Sequence, residues 1–576
     1  MYRYYMKYLL KKIYFTFSFI ILLPYSLCYS SDTKFRYTHN DIYNYFSGVV
    51  SVNQDYPIQG YKYLNRVQSL KKVHDNYNVE FLQTLVMLEK FDEAFKFAKK
   101  IWKEGEFIFE ADLLLGLKYL KNSEFYNAEK HFKRLNNISK NNLYFIDFFD
   151  NALLSWTEAA KNKKSESFLY YSKIPKRYYR LNLIQESLLN CFFDTPKTET
   201  LFKKITDDKD VSFARYKFFL GNYLLSKKKI KEAENLFRSS MNINNTNLLL
   251  KQSNNYILNN KKKKILDLFN CREPSDPVSE IFYIIANLYS TQKDYKLSNF
   301  YLKISLFLNS KFTPNKILLA ENLYKQGKQE NAQKIYKSIK SIGPIYSWFG
   351  SLTSAKILSN NDEKKKATKI IKKEFSLLNK PTFENYYQMA NFFKDNEYHE
   401  EAIKYYSIAL KKIEPNHFLI PKILDRRGTS YETTNQWNKG EKDLKESLKI
   451  SPNQPYVLNY LAYTWIDKGI NVKQALVMLE RALKMKENDG YIIDSFGWAL
   501  YLNQNYEEAE KYMQRAVELM PRDPVVNDHY ADVLWKLEKN MQARYFWRYV
   551  LTLKEVKKEL KEKINKKLIL GNNQSL

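Results

Sequence analysis

Six histidines, three cysteines and 63 carboxylates are the residues of this 576-residue chain that could do acid–base, nucleophilic or metal chemistry. Their spacing offers none of the arrangements such chemistry needs. His39, His74, His131, His399, His417 and His529 include no pair four apart, so no helix face presents two imidazoles to one metal ion. There is no Gly-rich phosphate loop and no nucleophile elbow. The carboxylate pair Glu507-Glu508 sits where a helix begins, a place acidic side chains favour for its positive dipole end. The sequence therefore predicts no enzyme, no metal and no cofactor.

The basic side chains admit a different chemistry. The formal net charge is +30, with lysine runs at Lys227–Lys229, Lys261–Lys264 and Lys364–Lys366. The excess lies almost wholly before residue 420, because residues 421–550 carry 19 basic and 18 acidic groups. Much of it is a solvated surface. An anionic membrane surface is the functional partner it admits. Nucleic acid is not expected, because the N-terminus reads as an export signal. Arg3, Lys7, Lys11 and Lys12 precede an apolar run from Ile13 to Leu23, Pro24 ends it, and Cys28-Tyr29-Ser30 offers a cut after Ser30. Those are the three regions of a secretory signal peptide, with an N-terminal membrane anchor as the other reading. Either reading places the rest outside the cytoplasm, in the periplasm or on the periplasmic face of a membrane. Removing the signal leaves Cys191 and Cys271, 80 residues apart. In a linear stack that exceeds the bridging limit of about 7 Å between Cα atoms, so two unpaired buried thiols are expected.

The elements that position these residues come from a repeat. Gly497, Ala509, Met513, Ala516 and Pro521 set a pattern that recurs about every 34 residues. Its small-residue pairs twelve apart include Gly48/Gly60, Gly116/Ala128, Gly221/Ala233, Ala320/Ala332, Ala355/Ala367, Ala390/Ala402, Gly428/Gly440 and Ala531/Ala543. Weaker slots lie at Ser155/Ser167 and at positions 187 and 199, and a still weaker one near 245–270. Small residues let two helices approach closely, and the proline ends the second.

On these residues the chain resembles the tetratricopeptide repeat family. Leu115, Gly116, Tyr119, Ala128 and Phe132 match its pattern, as do Leu220, Gly221, Leu224, Ala233 and Phe237. Read with the signal, the array also resembles exported bacterial proteins that consist of a signal and such repeats. The resemblance implies an all-α, right-handed superhelical solenoid of antiparallel helix pairs, roughly 14–15 repeats long. It implies a scaffold or adaptor rather than an enzyme. In the family the first helix of each repeat lines a concave groove. Carried onto this sequence, the groove positions are Asp425, Asn459, Tyr463, Asp494, Trp498, Tyr501, Asp528, Asp532 and Trp535. That set is acidic and aromatic. It predicts a protein or peptide partner with basic and apolar side chains, held by ion pairs and by cations over Trp faces.

The domain reading is a signal at 1–30, N-terminal repeats at 41–140 and degenerate repeats at 141–275. C-terminal repeats follow at 276–550, then a capping helix at 551–570 and a disordered tail at 571–576. Leu553, Val556, Leu560 and Ile564 give the capping segment its apolar stripe. The function expected is a non-enzymatic protein–protein interaction scaffold of the bacterial cell envelope. The alternatives are a self-associating structural repeat protein and a membrane-surface-associated assembly factor.

Overall fold

A computed structural model describes residues 37–54, 56–72, 74–138, 148–207, 214–241, 247–554 and 556–572. The signal segment and residues 573–576 lie outside the described residues. The fold is all-α, and no strand occurs among the described residues. No helix there is long and apolar enough to cross a membrane. Helix pairs follow one another from His39–Asn53 with Pro57–Leu64 to Pro524–Lys536 with Asn540–Thr552, and a single helix, Lys558–Leu570, ends the array.

One turn closes the pairs. The amide of Lys90 donates to the carbonyl of Leu85 at 2.9 Å, that of Glu124 to Tyr119 at 2.8 Å, and that of Lys539 to Leu534 at 2.9 Å. This six-residue bond needs a left-handed residue just before the donor. Glu89, Ser123, Lys293, Gln504 and Glu538 adopt it with φ between 59° and 65°. Gly327 and Gly469 occupy the same place with a residue that has no Cβ to strain. Inside the pairs the small residues admit large partners. Gly497 faces Met513, where an added Cβ would lie 3.1 Å from Cγ, and the Phe132 ring fills the space beside Gly116.

The chain divides into two compact units, residues 1–350 and 351–576. In the first, the helix Tyr295–Leu308 turns back onto the early repeats. Lys303 pairs with Glu89, and Lys296 reaches Asn53 Oδ1 at 2.9 Å and Glu80 at 3.4 Å. Phe307 stacks on Phe91 with centroids 4.6 Å apart, and the Lys121 ammonium sits 4.1 Å from the Phe307 centroid. The early repeats of this unit are thus covered by their own chain.

The same winding overturns the cysteine expectation. Cys191 and Cys271 form a disulfide, with Cα atoms 6.0 Å apart. The linear-stack argument counted two repeats as a fixed rise. The pair between them is truncated instead, with Leu248–Leu258 followed by the four-residue helix Lys263–Leu266. Asn222 Nδ2 donates to the carbonyls of Ile265 and Phe269, both at 3.0 Å. That draws the chain back across the helix before it. Lys227 and Arg272 then both pair with Asp194, three residues beyond Cys191.

Candidate functional site on the inner face of the C-terminal unit

The repeat period carries the nine groove positions onto successive first helices of the second unit: Ile420–Thr433, Pro455–Asp467, Gly490–Leu502 and Pro524–Lys536. Asp489 and Asp523 cap the last two, their carboxylates accepting from the amides of Ile492 and Val526 at 3.4 and 3.1 Å. A capped helix holds its side chains in register with its neighbours.

The far end of the face is filled. The Lys567 ammonium, from the terminal helix, donates to Asp528 Oδ1 at 2.6 Å and to Asp532 Oδ2 at 2.6 Å. All three residues are buried. Trp547 Nε1 donates to Asp532 Oδ1 at 3.2 Å, and the Lys567 ammonium lies 5.7 Å from the Trp547 centroid. Burial, with Asp528 adding to it and Lys567 opposing, pushes the Asp532 carboxyl up to about 6. Trp535 lies 5.4 Å from Trp547 and carries the Arg544 guanidinium 5.4 Å from its own centroid. Gly571 packs against the Trp535 ring, and Asn572 Nδ2 donates to the Tyr501 hydroxyl at 3.2 Å.

One repeat earlier the acid is matched by a histidine. His529 Nδ1 lies 3.1 Å from both carboxylate oxygens of Asp494, and both side chains are buried. Burial lowers the imidazole's proton affinity, but Asp494 more than offsets it and the net shift is upward. The Trp498 ring stacks on His529 at 4.0 Å and on Tyr501 at 4.7 Å.

The near end is different. Asp425, Asn459 and Tyr463 are half-buried. Burial raises the Asp425 carboxyl against the pull of Lys394 and Arg426. Tyr463 is pushed up to about 12 by burial and by Asp494 and Asp467. The Asn459 Oδ1 atom is buried without a hydrogen-bond partner among the described residues. An unpaired buried acceptor is costly and is where an incoming donor gains most.

The sequence reading did not contain several residues of this face. Lys567 is the chief one. The terminal helix Lys558–Leu570 repeats Pro524–Lys536 at a step of 34, so the register that located Asp528 and Asp532 also located the helix bearing their partner. Nothing in the spacing says that a lysine will turn inward. Arg426 was also missed; its Nη1 donates to Asn391 Oδ1 at 3.0 Å, and the Tyr406 hydroxyl donates to the same oxygen at 2.7 Å. Glu432, a groove position that the family pattern does give, accepts from the Tyr460 hydroxyl at 3.0 Å. Among the described residues no three His, Cys, Asp or Glu converge to hold a metal ion.

The model of the tetratricopeptide repeat family matches residues 496–523, which include the helix-packing residues Gly497, Ala509, Met513 and Ala516. The chain carries a tetratricopeptide repeat. A TPR repeat-containing protein of Pseudomonas aeruginosa is 26% identical over 210 residues, covering 36% of this chain and 29% of the relative. A TPR repeat-containing protein of Methanocaldococcus jannaschii is 25% identical over 418 residues, covering 70% of this chain and 66% of the relative. The chain thus spans less than a third of the first relative and about two thirds of the second. Among solved structures, a thermophilic TPR protein of Thermus thermophilus is 16% identical, with a TM-score of 0.29 over 33% of this chain and 100% of that one. Repeats of this family are protein–protein interaction modules.

Proposed function

We propose that this protein is a non-enzymatic scaffold of the bacterial cell envelope whose C-terminal unit holds a basic, apolar segment of a partner protein. The observation that carries the reading is Lys567. A lysine of the chain's own terminal helix sits between two carboxylates of the inner face with an indole beside it. That is the chemistry expected of a bound segment, supplied here from within. Among the described residues, the neighbouring stretch with Asp425, the unpaired Asn459 Oδ1 and Tyr463 offers the same kind of residues without such an internal occupant. A partner lysine would meet Asp425, and the partner's apolar side chains would lie on Tyr463.

Export is supported by the basic and apolar leader and by the Cys191–Cys271 disulfide, a bond that persists in oxidising compartments. The test is capture of cross-linked partners in cells by the wild-type chain and by an Asp425→Ala/Tyr463→Ala variant, with folding checked by circular dichroism. Neither residue holds the terminal helix, so the variant leaves the Lys567 pin intact. Selective loss of a partner from the folded variant supports the groove, and an unchanged partner set removes it.

A further inference from the structure

Among the described residues, nothing covers one apolar face of the first helix pair. A terminal repeat has a neighbour on one side only, and its outer face is ordinarily polar. Here the helix His39–Asn53 buries Asn44, Gly48 and Val52 against the rest of its unit. Its opposite side exposes Tyr43 (54%), Phe46 (61%) and Val50 (50%), together with Ile42. A helix that is apolar on both sides is one that something covers on both sides.

The composition of this face selects what covers it. Tyr43 meets Tyr63 edge-on at 6.0 Å, and the Arg66 guanidinium acts electrostatically on the Tyr63 hydroxyl. Lys62 and Arg66 are exposed beside these rings. The nearby acid, Asp41, is taken up in its own helix cap, accepting from the Thr38 amide at 2.9 Å and the Thr38 hydroxyl at 2.7 Å. Aromatic rings with aliphatic side chains, rimmed by cations, match the boundary of an anionic bilayer, where rings sit at headgroup depth and cations meet lipid phosphates. A two-fold contact with a second copy would set the same patch against itself and bring the Lys62 and Arg66 rims together. The apolar run ending at Leu23 lies 16 residues before His39, so the chain can place this face within about 55 Å of a membrane that takes up that run.

We propose that the outer face of the first helix pair docks on an anionic lipid surface. The surface is separate from the inner face of residues 351–576, and neither reading depends on the other. The test is co-sedimentation of the full chain with vesicles of phosphatidylcholine alone and of phosphatidylcholine mixed with phosphatidylglycerol. The chain is expected to prefer the anionic vesicles. Phe46→Ser/Val50→Ser should weaken that binding by at least about tenfold, since each side chain fully buried in lipid is worth more than 1.4 kcal/mol. Lys62→Ser/Arg66→Ser should reduce the preference for phosphatidylglycerol. All four positions are exposed, so thermal melting should match the wild type. Equal binding by the Phe46→Ser/Val50→Ser chain would overturn the proposal. So would a wild-type chain that ignores vesicles, whether it stays monomeric in the ultracentrifuge or forms a dimer that this variant dissolves.

Discussion

In residues 1–350 the early repeats face the helix Tyr295–Leu308, which meets them with Phe307 on Phe91 and Lys303 on Glu89. In residues 351–576 the candidate face is met by its own chain at the far end, where Lys567 enters between Asp528 and Asp532. The backbone device is common to both units, down to the left-handed residue at the turn. Side chains make the difference. The first unit presents rings and acids, among them Phe91, Phe95, Glu80 and Glu89, that its own later helix meets. The second presents Asp425, Asn459 and Tyr463 with no helix of its own seated on them in the same way. One repeat can thus build a self-satisfied body or leave a recognition face, depending on what the inner positions carry.

The comparison breaks most severely at Lys567. Lys567→Ala would strand two carboxylates in a buried site, at a cost of about 3–5 kcal/mol, and should lower the melting transition of the second unit in calorimetry. Lys567→Met combined with Asp528→Asn and Asp532→Asn should restore most of it. The same cluster sets a pH dependence. Asp532 is raised from 3.8 to about 6, so its contribution to stability is present below 3.8 and is lost as pH rises through about 6. His529 is raised above 6.5, so its contribution is present below 6.5 and fades as pH rises through the higher folded value. The second unit should therefore melt lower as pH climbs out of the acid range, and Asp532→Asn should flatten the lower part of that slope.

In the first unit the largest single effect is expected from Cys191→Ser/Cys271→Ser. Losing the cross-link should cost about 2–4 kcal/mol, read as a lower transition of that unit with the second unit unmoved. Phe307→Ala comes next. The ring is half-buried between Phe91 and the Lys121 ammonium, and its removal should cost about 1–2 kcal/mol in denaturant melts. Smallest is Lys293→Gly at a turn with φ of 65°. Glycine relieves a left-handed residue, and the unit should gain about 1 kcal/mol.

The helix pairs were legible because close approach leaves a mark in sequence: Gly116 must admit Phe132, and Gly497 must admit Met513. The pair at Leu248–Leu258 was faint because its second helix has four residues and no room for the pattern. The disulfide was not legible, since it depends on how far a truncated pair draws the chain back, and spacing alone reports only distance along the chain. The candidate positions were assigned from the period and the family pattern. Their commitments were not. Asp494 could be read as an inward acid, but its histidine partner one repeat on, like Lys567 opposite Asp528, is a contact between repeats that no offset within one repeat encodes.

The most direct measurement replaces Tyr463, and separately Phe91, with a photo-reactive residue and asks in cells which position captures another protein. An adduct from position 463, with position 91 yielding only links within the chain, is the predicted result. An adduct from position 91 and none from 463 would contradict the account, because the self-covered unit would then be the one that recognises a partner.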